Sequence, residues 1–149
     1  MKRSRRLRPV ANFAHQQERD AARLLGDSLR QADQQQKQLD DLIHYRDQYV
    51  AGFQAAGKEG LTAVQLRDYQ LFLSRLDTAI MQQQQKLEAS RKGCDQSQAV
   101  WQDKHGHSKM IDKVVESRKQ SENREQERQE QREQDDRPRD SGNRDTPES

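Results

Sequence analysis

The stretch Gly57-Lys58-Glu59-Gly60-Leu61-Thr62-Ala63-Val64-Gln65-Leu66 decides the fold. Two glycines three apart suit a helix C-terminus and a tight reversal. A restart signal follows directly. Thr62 and Gln65 have the S/T-x-x-E/Q spacing of a capping box, and Leu61 and Leu66 occupy the two positions of a hydrophobic staple. The segment therefore predicts one helix ending, a turn over 57–62, and a second helix starting at 63.

Working back from the turn, positions 25, 29, 32, 36, 39, 43, 46, 50 and 53 read Leu, Leu, Ala, Gln, Leu, Ile, Arg, Val and Phe. Apolar residues separated alternately by four and three form a coiled-coil seam. Gln36 and Arg46 interrupt it. Pro9 suits a first helical turn, so the first helix is expected over 9–56, preceded by a basic end at 1–8. Working forward, positions 66, 73, 80, 87, 94, 101, 108 and 115 read Leu, Leu, Ile, Leu, Cys, Trp, Ser and Val. The second helix is expected over 63–116. A short turn between long helices makes them antiparallel neighbours, with facing residue numbers expected to sum to about 117.

The expected fold is all-α: a long antiparallel two-helix coiled coil with a polar, partly disordered C-terminal tail. Its seam comprises Leu25, Leu39, Ile43, Val50, Phe53, Leu66, Leu73, Ile80, Leu87 and Trp101. A first helix of this length measures roughly 70 Å at 1.5 Å per residue, and it runs out of partner near residue 108. A charged helical extension over 117–137 is then left without an intramolecular partner, and 138–149 is expected to be disordered. The seam is apolar near the turn and polar towards the termini, where Ser90, Ser97, Lys104 and Ser108 occupy it. The turn end is thus expected to be rigid and the open end to fray.

Composition agrees with this reading. Only 30% of the 149 residues are hydrophobic, against roughly 45–50% in a globular domain. That excludes a sandwich, a doubly wound sheet or a conventional enzyme core. Proline is absent between Pro9 and Pro138, and Gln occurs 23 times. The net charge is +2, unevenly placed. Lys2, Arg3, Arg5, Arg6 and Arg8 form a basic start, whereas 112–149 carry more acids than bases. Nothing approaches the ~20 apolar residues of a membrane span, and the single Cys94 suits a cytosolic chain. A cytoplasmic protein that meets membranes only through partners is expected.

No set of residues reads as an active site, so no enzyme, cofactor or metal is expected. His105-Gly106-His107 lacks a third ligand, and histidines two apart on a helix point to different faces. The informative residues are apolar ones off the seam: Tyr45, Leu71 and Phe72, with Tyr49 and Leu42 flanking. Exposed aromatic and apolar residues anchor partners. A basic zipper that binds DNA needs a long parallel dimer, which the antiparallel turn opposes, and no nucleic acid is expected.

The order of features resembles the FliJ family of the flagellar type III export apparatus. The likeness rests on Arg6, Leu7 and Val10, then Ala21, Ala22 and Leu25. It continues through Leu39, Leu42, Tyr45, Arg46 and Tyr49, and through Gly60-Leu61-Thr62. It is most specific in Tyr69-Gln70, Phe72-Leu73, Arg75-Leu76-Asp77 and Ala79-Ile80, with Trp101 and the Glu/Gln/Arg-rich end following. The resemblance implies a non-enzymatic stalk that binds and stimulates a hexameric export ATPase (FliI-like). It also implies contact with an export-gate membrane protein (FlhA-like) and with export chaperones, at the cytoplasmic face of the inner membrane. On that reading Tyr45, Leu71, Phe72, Leu76 and Ala79 are candidates for the gate. Arg3, Arg5, Arg6 and Arg8 are candidates for the ATPase ring. A structural tether outside flagellar export is the alternative.

Overall fold

The computed structural model describes residues 3–136, and the tail assigned to 138–149 lies outside them. Helix α1 runs Arg3–Gly57 and helix α2 runs Ala63–Asp136, packed against each other. Among the described residues only 58–62 are non-helical. Gly60, with φ +93°, makes the reversal, a conformation that side-chain-bearing residues avoid. The capping box forms reciprocally. The Gln65 N–H donates to Thr62 Oγ1 at 3.1 Å, and the Thr62 N–H donates to Gln65 Oε1 at 2.9 Å.

The chain divides into two compact units. One comprises Gln16–Gly106. The other joins the first 15 residues to the segment from His107 onward, of which 3–15 and 107–136 are described.

In the unit Gln16–Gly106 the helices run antiparallel from the turn. The non-helical segment is centred on Gly60, so facing numbers sum to about 120 rather than 117. Phe53 accordingly stacks on Tyr69, with centroids 3.4 Å apart, not on Val64, which is exposed. Leu39, Leu76 and Leu87 are buried. Leu25, Val50, Phe53, Leu73, Ile80 and Trp101 are half-buried. Ile43 and Leu66 are exposed, which corrects their placement in the seam. On α1 the buried and half-buried positions include the series 18, 21, 25, 28, 32, 35, 39, 42, 46, 49, 53, with Gln36 and Val50 half-buried beside it. The second row of the seam is thus one residue earlier than apolarity suggests. Ser28 takes the place expected for Leu29, which is exposed, and Gln35 packs beside half-buried Gln36, because polar partners across the helix pair satisfy them. The Ser28 and Ser97 hydroxyls are 2.9 Å apart, and the Cys94 thiol donates to the Ser28 carbonyl at 3.1 Å.

In the other unit α1 begins at Arg3, six residues before its expected start, and Pro9 lies inside it. The first N–H groups of a helix have no intrahelical acceptor. Here the Glu122 carboxylate supplies one. The Ser4 N–H donates to Oε1 at 3.0 Å and the Ser4 hydroxyl to Oε2 at 2.6 Å. A carboxylate at a helix N-terminus is also favoured by the helix dipole. This cap, together with burial of Ser4, Ala11 and Ala14, holds the turns ahead of Pro9 despite its missing donor.

The same contact overturns the expectation that nothing packs beyond residue 108. The helix continues unbroken through His105-Gly106-His107 and 117–136 to Asp136, and only the stretch after Glu122 is exposed throughout. Ser108 is 1% exposed and Ala14 2%. The most buried side chains are therefore small residues near the termini, not large ones at the turn.

Candidate interaction surfaces

Near the turn an aromatic ladder crosses the helix pair. Tyr49 stacks on Tyr69 at 5.4 Å and tilts against Phe72 at 4.5 Å, and Tyr45 meets Phe72 edge-on at 6.2 Å. Offset and edge-on aromatic pairs add roughly 0.5–1.5 kcal/mol each beyond area burial. One side of the ladder remains open: Tyr45 and Leu71 are each about half exposed (50% and 52%). A shallow concavity beside it is lined by Tyr49, Asp68, Leu71, Phe72 and Arg75. Of the five residues suggested for a gate contact, Tyr45, Leu71 and Phe72 come together here. Ala79 is half-buried two turns on. Leu76 is buried in the helix pair, which corrects its placement on a partner surface.

The opposite edge of this region is closed by an ion pair. The Arg46 Nε–H donates to Asp77 Oδ1 at 2.6 Å. That hydrogen bond and the Asp77 charge push the Arg46 pKa further up, though the guanidinium is charged with or without the pair. Further along the same unit, Glu18 Oε1 lies 2.5 Å from His105 Nδ1, and the His105 ring stacks on Trp101 at 4.8 Å. This contact explains His105 as a packing and hydrogen-bonding residue of the helix pair. No group of three or more metal-ligating side chains occurs among the described residues. No helix there is long and apolar enough to cross a membrane.

In the terminal unit Arg3, Arg5, Arg6 and Arg8 are exposed on the first turns of α1, held in a helix rather than on a free end. Arg3 and Arg6 line a concavity with Leu7 and Arg118. The sequence reading missed Arg118. Its signal was its place in the alternating four–three series 108, 111, 115, 118, 122, obscured because no apolar residue marks the series after Val115.

The chain matches the family model "Flagellar FliJ protein" over residues 2–139. A flagellar FliJ protein of Escherichia coli K12 is 32% identical over 98 residues, covering 66% of this chain and 67% of that protein. The one from Salmonella typhi is 30% identical over 98 residues, with the same shares covered. No solved structure matches.

Proposed function

Because the chain belongs to the FliJ family, and so is a component of flagellar protein export, we propose that it is a non-enzymatic coupling protein. It binds and stimulates the hexameric export ATPase through Arg3, Arg5, Arg6 and Arg8. Through Tyr45, Leu71, Phe72 and Ala79 it contacts the membrane-embedded export gate. It links the ATPase to export chaperones as well, and works at the cytoplasmic face of the inner membrane. ATP hydrolysis belongs to the ATPase, and the chain acts by contacting its states unequally.

The observation that carries this reading is the exposure of Tyr45 and Leu71 around the half-buried Phe72. Aromatic and apolar side chains exposed together in one place mark a partner site. The arginines on α1 supply a second surface of different chemistry, suited to a different partner.

The test is ATP hydrolysis by the matching export ATPase, with and without the chain, alongside binding to the cytoplasmic part of the gate. Arg6→Glu with Arg8→Glu is expected to lower the stimulation and spare gate binding. Leu71→Ala with Phe72→Ala is expected to do the reverse. No change in hydrolysis or assembly on adding the wild-type chain overturns the ATPase role. Loss of the same partner in both variants overturns the two-surface arrangement.

A further inference from the structure

The terminal unit carries four exposed large apolar residues, Val10, Phe13, Met110 and Val114. They share one flank. Val10 and Phe13 each precede a buried residue of α1, Ala11 and Ala14. Met110 and Val114 each precede a half-buried residue of α2, Ile111 and Val115. In an antiparallel pair, residues displaced in the same sense from the two seams lie on the same side. The other flank confirms the geometry. His15 and Asp112 each follow a seam residue, and they meet there at 2.8 Å.

Arg3 and Arg6 precede Ser4 and Leu7, which puts them on the flank of Val10 and Phe13. They line one concavity with Leu7 and Arg118. None of these three arginines has an ion pair among the described residues. The flank is therefore an apolar strip ending in three guanidiniums without an ion pair among the described residues. We propose that it is one continuous docking surface for an acidic loop bearing an apolar side chain. The loop's carboxylates meet Arg3, Arg6 and Arg118, and its apolar group meets Phe13 between Val10 and Met110. Guanidiniums pair with carboxylates through two parallel hydrogen bonds, and an aromatic residue beside them is a common interface anchor. This inference rests on the ATPase reading, the loop being one of the ATPase ring. It adds Arg118, from the other helix, and the apolar strip to that contact.

Binding of the full chain to the assembled export ATPase, by biolayer interferometry at about 0.15 M salt, tests it. Arg118→Glu and Phe13→Ser are each expected to weaken binding by about tenfold or more, with helicity by circular dichroism unchanged. Lys119→Glu makes the same charge change on the opposite flank, and binding is expected to stay within about twofold of wild type. Wild-type affinity in Arg118→Glu and Phe13→Ser overturns the docking surface and leaves the ATPase reading standing. An equal loss in Lys119→Glu shows a net-charge effect and overturns it too. Failure of the wild-type chain to bind overturns the ATPase reading and this inference together. Self-association of the chain that Phe13→Ser abolishes, with ATPase binding intact, assigns the strip to a second copy and also overturns the proposal.

Discussion

Gln83 donates its side-chain amide to both carbonyls of Gln35, the backbone one at 3.0 Å and the side-chain one at 2.7 Å, from a position only 6% exposed. Buried Leu76 and Leu87 lie on either side of it along α2. A polar layer inside an apolar seam fixes which residues face each other, since any slip leaves the amide without acceptors.

Gln83→Ala removes both hydrogen bonds and most of the side chain, and is expected to lower stability by about 1–3 kcal/mol. Gln83→Leu keeps the volume and drops the polar requirement. It is expected to hold or raise the melting temperature while increasing self-association, because the register is less constrained. Thermal unfolding by circular dichroism and light scattering check the two outcomes.

Two glycines, one in the turn and one inside α2, contrast. Gly60 has φ +93°, so Gly60→Ala forces a side chain into the left-handed region and is expected to cost about 1–2 kcal/mol. Gly93 is inside α2, with no atom within 4 Å of an added Cβ. Gly93→Ala is expected to stabilise by up to about 1 kcal/mol. Thr62→Ala removes one half of the capping box and is expected to cost about 0.5–2 kcal/mol. Urea unfolding of the three variants gives the order Gly93→Ala, wild type, then the other two.

Ser108 is the most buried side chain described, in a terminal unit whose other closely packed residues include Ala11 and Ala14. Ser108→Ala is expected to be near neutral. Ser108→Leu replaces a buried hydroxyl with three carbons and is expected to cost about 1–3 kcal/mol. It is also expected to speed amide exchange in residues 4–14. Unchanged exchange there shows that the helix ends are held by something other than this small-residue contact.

The two-helix fold was legible because its punctuation is local. Glycines and a capping box act within a few residues, and the glycine- and proline-free run of α2 from Ala63 to Lys92 leaves few alternatives. What stayed hidden depends on the second helix. Leu29 and Ile43 look like seam residues on α1 alone, and only the Ser28–Ser97 and Gln35–Gln83 pairs show why the seam runs one position earlier. The start of α1 is hidden for the same reason. Arg3–Arg8 ahead of a proline reads as a loose end until the Glu122 carboxylate, more than a hundred residues away, accepts from Ser4. Arg118 was missed because its meaning lies in Arg3 and Arg6 beside it.

Leu71 and Leu76 separate surface from core in the proposed gate contact. Leu76 is 7% exposed, and Leu76→Ala is expected to cost about 2–5 kcal/mol through the lost side chain and the cavity it leaves. Leu71 is about half exposed, so Leu71→Ala is expected to change stability by no more than about 0.5 kcal/mol. Gate binding is expected to fall in both, for different reasons. In Leu71→Ala the loss persists well below the melting temperature, because an interface anchor is gone. In Leu76→Ala it tracks unfolding and recovers on cooling. Gate affinity measured at several temperatures, with the melting curve of each variant beside it, distinguishes the two. Full affinity in Leu71→Ala removes this residue from the contact and moves attention to Tyr45 and Phe72.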